Sequence, residues 1–169
     1  MRRSMLVLAV LAVFAVAVAA YPAPAAAQSG WIAAGVWVGN AGTNYAYLTG
    51  ELYISDKASL GIEYQAQEIA VSVWYGLNRG FYGQVAFSDY SPRWEAGVWG
   101  STMLSSTIEA AAWIGATSHL KDGEKVEFTA RAEAYVPFGR SLFGLIGVDG
   151  VFVDGKHSFT GRVGIGTNF

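Results

Sequence analysis

The sequence predicts an all-β protein, a closed antiparallel up-and-down barrel of ten strands, and three observations carry that expectation. From Trp31 onward the chain alternates apolar and polar residues with a period of two, and no stretch keeps a helical period. Turn residues punctuate the alternation at short intervals, with 21 glycines spread through 169 residues. One of the two resulting faces carries no charge along the whole chain, so the sheet has an oily side that must be covered.

The first segment is not part of that sheet. Arg2 and Arg3 precede an uncharged apolar run from Met5 to Ala20, and "APAAAQS" follows with Ala25 and Ala27 at the spacing of a signal-peptidase site. Residues 1–27 are therefore expected to be a cleaved signal peptide, and the run is short for a retained spanning helix. Residues 28–169 are expected to form a single domain.

Ten strands are expected near Trp31–Gly39, Asn44–Ile54, Ala58–Ala66, Ile69–Leu77, Phe81–Ser88, Arg93–Gly100, Leu104–Ala116, Lys125–Phe138, Ser141–Val153 and Lys156–Phe169. The turns test this division, because residues paired across a hairpin face the same way. In "VDGK", Asp154-Gly155 reads as a two-residue turn that pairs Val153 with Lys156 and Ile146 with Val163. "LNRGF" reads as a three-residue loop ending in glycine, which pairs Leu77 with Phe81. "YQAQEIA" changes parity as a two-residue turn at Gln67-Glu68 requires, although that dipeptide is a poor turn former. Without that turn two strands merge and the count falls toward eight.

With this register the oily face begins Ile32, Ala34, Val36, Val38 and continues through Leu48, Leu60, Ile62, Val71 and Val73 to the last strand. The opposite face holds Glu51, Glu63, Glu95, Glu109, Glu127, Arg131, Glu133, Asp149 and Arg162, with Trp37, Tyr47, Trp74, Tyr82, Trp99, Trp113 and Tyr135 among them. All four lysines, Lys57, Lys121, Lys125 and Lys156, fall in or beside turns. A soluble barrel turns its apolar face inward and needs abundant charge outside. The pattern here is the reverse, an inside-out barrel with lipid against the oily face and a polar, aromatic lumen.

Composition agrees. The chain after Ala27 carries nine basic against thirteen acidic residues, a formal charge of −4, which offers no basic patch for nucleic acid. It has no cysteine, hence neither disulfides nor a cysteine metal site, and closure of the sheet is the expected source of stability.

Two stretches carry a resemblance. "AQSGWIAAGVWVGN" places a first strand directly after the cleavage site, and "GRVGIGTNF" ends an alternating strand on Phe169. On these the chain resembles the small bacterial outer-membrane β-barrels of the OmpA-like and OmpX-like superfold. The resemblance implies outer-membrane lipid as the surrounding medium, export through the Sec pathway, and recognition of Phe169, Ile165 and Val163 by the barrel assembly machinery. It implies a monomeric, passive structural component or a narrow, mostly closed conduit with no cofactor. The loops are shorter than the long extracellular loops often found in that group.

The alternative in another class is a secreted soluble barrel binding an apolar ligand, of lipocalin or avidin type. An outer-membrane lipid-modifying enzyme is a third reading. "KHSF" places His157 beside Ser158, but adjacent strand residues point to opposite faces, which disfavours a catalytic pair. "GIGTN" cannot be a phosphate-binding turn because no helix follows it, so its glycines are expected to relieve crowding inside the barrel. Glu109 and Glu133 are expected to pair with Arg131 rather than hold a metal, within a lumen network of Glu63, Glu109, Arg131, Glu133, Asp149 and Arg162. Trp37, Trp74, Trp99, Trp113 and Tyr135 are expected to fill the lumen or line a cavity in it, with membership of the aromatic girdles at the membrane interfaces as the alternative for some of them.

Overall fold

The computed structural model describes residues 30–39, 44–88, 92–119 and 125–169. The expected signal peptide and Lys121 lie outside the described residues.

Ten antiparallel strands form one sheet: β1 (Gly30–Gly39), β2 (Asn44–Ser55), β3 (Ala58–Gln65), β4 (Glu68–Gly76), β5 (Arg79–Phe87), β6 (Arg93–Met103), β7 (Glu109–His119), β8 (Glu127–Pro137), β9 (Leu142–Val153) and β10 (Lys156–Asn168). Each strand pairs with its neighbours in the chain, and β10 returns to β1, so the sheet closes without a free edge. At that seam Ala34 faces Ile165 and Val36 faces Val163. Phe169 extends the seam by one step, since its N–H donates to the Gly30 carbonyl at 3.1 Å and its carbonyl accepts from the Gly30 N–H at 3.3 Å.

The expected pairing of the last hairpin is present: Val153 faces Lys156 and Ile146 faces Val163 across Asp154-Gly155, whose φ values of 46° and 76° are those of a tight left-handed turn. Three other expectations need correction. The β3–β4 turn is Ala66-Gln67, with Gln65 facing Glu68, and not Gln67-Glu68. Ala66 and Gln67 adopt φ of 43° and 69° without a glycine, so turn composition could not locate them. The β4–β5 loop pairs Tyr75 with Phe81 rather than Leu77 with Phe81. There Gly76, at φ 133°, takes the conformation that only glycine adopts easily, which moves the loop back by one residue. Finally, β7 starts at Glu109 and not at Leu104, and β6 runs on to Met103. The Ser105 hydroxyl accepts from the N–H groups of Thr107 and Ile108 at 3.2 and 3.0 Å, holding residues between these strands in a turn.

Both turn corrections displace the pairing by an even step, so no residue changes face. Val73, Ile114, Ile146 and Val163 all stand outward with half or more of their surface exposed. Leu52 and Ile69 share the outward parity but are covered by their neighbours. Trp37, Tyr47, Tyr82 and Trp113 point inward and are buried, as are Glu63, Glu95, Glu133 and Arg162.

Candidate functional site

Among the described residues, buried polar and charged side chains are concentrated in the lumen, and its densest part is built around two arginines. Arg162 on β10 donates from Nη1 to Glu63 Oε2 at 2.9 Å and forms a second ion pair with Glu133. Arg131 on β8 donates from Nε to Asp149 on β9, its direct register partner, and lies 3.8 Å from Glu63. Glu63 belongs to β3, three strand boundaries away from β10 around the wall. The Glu63–Arg162 bond therefore spans the lumen and does not simply follow the sheet.

Aromatic rings sandwich these guanidinium groups. Arg131 sits 5.6 Å from the centre of the Trp37 ring and 5.2 Å from that of Trp113. Arg162 sits 5.2 Å from Trp37 and 5.3 Å from Tyr47. Stacked arginines are weakly hydrated and tolerate this burial better than an ammonium would. Glycine makes room on both sides of the seam: Gly164 on β10 faces Gly35 on β1, and a Cβ on either would collide with the Tyr47 hydroxyl. Trp37 Nε1, Tyr47 Oη and Arg162 Nε are buried without hydrogen-bond partners among the described residues, so ring stacking and ion pairing carry this region.

A second cluster was missed by sequence reasoning. Arg93 at the start of β6 donates to Glu68 at 2.7 Å and lies 3.7 Å from Glu95. Glu95 also accepts from the Tyr82 hydroxyl at 2.6 Å and from Thr129 at 3.0 Å. The signal was available for Arg93, which shares parity with Glu95, whereas Glu68 was assigned to a turn.

Below the arginine cluster the lumen opens into a vestibule of about 430 Å³. Ser55, Asp56, Leu77, Asn78, Thr107 and Pro137 line its mouth, which puts the opening at the barrel end that carries Gly30 and Phe169. Glu63, Trp113, Arg131 and Arg162 line its inner end. Trp31, Tyr135 and Phe143 form one edge-to-face aromatic group on its wall, with ring centres 5.8 to 6.1 Å apart. Trp74 forms another with Trp99 at 6.2 Å and Trp113 at 5.7 Å.

The expected network is thus divided. Glu63, Arg131, Glu133, Asp149 and Arg162 come together, but Glu133 pairs with Arg162 and not with Arg131. Glu109 does not join them. It faces the vestibule and forms no ion pair among the described residues, because its strand places it opposite Met103 and Tyr135, near the mouth. His157 and Ser158 are both exposed beside the β9–β10 turn, and the His157 ring lies 5.5 Å from that of Phe159. Among the described residues no group of three or more His, Cys, Asp or Glu is placed to hold a metal ion.

No protein-family model and no curated protein matches the sequence. Solved structures do. The translocator domain of the autotransporter NalP from Neisseria meningitidis is 12% identical with a TM-score of 0.51, over 98% of this chain and 98% of that one. The N-terminal β-barrel domain of Pseudomonas aeruginosa OprF is 11% identical with a TM-score of 0.43, over 84% and 98%, and a de novo designed transmembrane β-barrel is 12% identical with a TM-score of 0.46, over 85% and 98%. Taken with the closed ten-stranded topology, the likeness to the translocator barrel gives this chain the fold of the transmembrane β-barrels.

Proposed function

We propose that the protein is an integral barrel of a bacterial outer membrane, acting as a passive structural component whose lumen is mostly closed, with no catalytic role. The observation that carries this reading is the outer face of the barrel. Valine, isoleucine and phenylalanine stand exposed around it, and charged side chains on that parity are confined to turns and strand ends. An apolar band of this extent in water would be a severe aggregation hazard, whereas against lipid it is the required surface. A soluble barrel for an apolar ligand would have the two faces exchanged, with the charges outside and the oily residues around the cavity.

Conduction is limited in this reading by the arginine cluster and its stacked rings, which occupy the lumen behind the vestibule. Any residual path favours cations, because Glu51 and Glu109 line the vestibule while both arginines behind it are already paired with carboxylates. The reading includes export of the chain through the Sec pathway by the expected leader and delivery of β10 to the assembly machinery as a monomer. Cell fractionation with unboiled gel electrophoresis tests the core of it: the protein should sediment with outer membranes and migrate as a compact, heat-modifiable band. Recovery in the soluble fraction without detergent would overturn it.

A further inference from the structure

We propose that the vestibule is a binding site for an organic cation, an ammonium group carried on an apolar or aromatic body. Its volume of about 430 Å³ lies within the roughly 300 to 1,000 Å³ range of small-molecule pockets. One end is closed by the arginine cluster and the other is open, so a ligand enters from the end of the barrel that carries Gly30 and Phe169.

The charge of the ligand follows from which groups are left without partners. Both arginines at the inner end are neutralised, Arg131 by Asp149 and Glu63, and Arg162 by Glu63 and Glu133. Glu51 and Glu109 have no such partner: both face the vestibule, neither forms an ion pair among the described residues, and they interact electrostatically with each other. Glu51 is also held in position, accepting from Trp31 Nε1 at 3.1 Å and from the Ser59 hydroxyl. A fixed carboxylate with a like-charged neighbour and no cation attracts one from solution.

The shape of the ligand follows from the walls. Trp31, which donates to Glu51, forms one aromatic group with Tyr135 and Phe143, and Trp74 and Trp99 line the same space. Aromatic faces near a carboxylate are the arrangement that binds alkylated ammonium groups, through cation–π attraction and apolar contact together. A bare metal ion is a poorer fit, since among the described residues no group of three or more His, Cys, Asp or Glu is placed to hold one. An anion would meet the wrong field.

Benzyltrimethylammonium is the probe, titrated against the full barrel in a non-ionic maltoside detergent and followed by tryptophan emission. Benzyl alcohol and benzenesulfonate serve as neutral and anionic controls. Binding of the cation should saturate, weaken with added salt, and exceed that of benzyl alcohol by about tenfold, the scale of a desolvated cation–π and ion contact. Glu51→Gln combined with Glu109→Gln should weaken it by a further tenfold or so, while Glu127→Gln, outside the vestibule, should leave it unchanged. Glu109 is exposed, so Glu109→Gln alone keeps the test valid if the double variant does not give a heat-modifiable band. A response that never saturates, that is equal for all three probes, or that survives loss of the carboxylates overturns the proposal. Binding and membrane location are read separately, so failure of one leaves the other standing.

Discussion

Replacing Arg162 with Met should destabilise the barrel more than any comparable change at a half-exposed charge. The Arg162 side chain is 3% exposed and that of Glu133 0%, so Arg162→Met leaves a fully enclosed carboxylate without its cation. Glu63 retains Arg131 at 3.8 Å, but Glu133 keeps only the Tyr135 hydroxyl, at 2.6 Å. Removing one partner of a buried pair typically costs about 3 to 5 kcal/mol, most of it the penalty of the charge left behind. Arg93→Met is the internal control: its side chain is 20% exposed and that of Glu68 18%, and its other partner Glu95 keeps the Tyr82 and Thr129 hydroxyls, so the loss there should be smaller, roughly 1 to 2 kcal/mol. Urea unfolding of the barrel in lipid vesicles, followed by tryptophan emission, measures both, since Trp37 lies against Arg162. Adding Glu133→Gln to Arg162→Met should recover part of the loss, because the stranded charge is gone. A cost for Arg162→Met no larger than that of Arg93→Met, or a double variant less stable than the single one, would refute the idea that the pair is tied through burial.

Four further outcomes are expected. Val73→Arg or Ile146→Arg should lower the yield of folded barrel by an amount equivalent to about 2 to 4 kcal/mol, as for an arginine facing mid-bilayer, while Gln65→Arg on the inward face is better tolerated; the opposite order would place lipid on the wrong side. Phe169→Asp should reduce heat-modifiable protein in outer membranes and leave material in the periplasm, and undiminished assembly would remove Phe169 from the signal. Replacing Ala66-Gln67 with Asn-Gly should raise stability by about 1 kcal/mol, because both positions have left-handed φ values that cost ordinary residues energy, with denaturant midpoint as the readout. In planar bilayers the protein should show little steady conductance, and Arg131→Ala should increase a cation-selective current, whereas large anion-selective channels in the parent would mean that the lumen charges are misassigned.

The faces were legible in the sequence and the depths were not, for one physical reason. Parity fixes which side of a strand a residue takes, so Trp37, Glu63, Arg131 and Arg162 were placed inward from alternation alone, and even-step errors in two turns left them there. Hairpin register reached slightly further, since Arg131 and Asp149 are direct neighbours across β8 and β9. Contacts across the lumen depend on how far each strand is staggered around the barrel and on the reach of long side chains, and neither is written in alternation. That is why Glu133 was expected beside Arg131 and is found with Arg162, and why Glu109 was expected in the network and stands apart from it. The Arg93–Glu68 pair was missed because Glu68, assigned to a turn, lost its parity, which left Arg93 at the start of its strand without a visible partner.

Where the lumen is closed and where it is open follows from side-chain volume. Interior width grows with strand number, and about eight strands are already filled by side chains, so ten leave a modest space that can be packed or left. Packing it takes a large ring on one strand over glycine on the next. Tyr47 covers Gly35 and Gly164, and Tyr82 covers Gly97 and Gly115, with Arg131 and Arg162 wedged among Trp37, Tyr47 and Trp113. Toward the other end the same walls carry Ser59, Gly61, Ser72 and Ser101, all of which line the vestibule. Small residue meets small residue where Gly61 faces Ser72 across β3 and β4, and Ser59 faces Trp74 beside them. The Nε1 of Trp74 is turned back onto Ser72 Oγ at 2.8 Å, which keeps the indole against its own strand. The barrel is therefore plugged by rings matched to glycines and hollow where serines and a glycine face the space, with the carboxylates of Glu51 and Glu109 left on the hollow side.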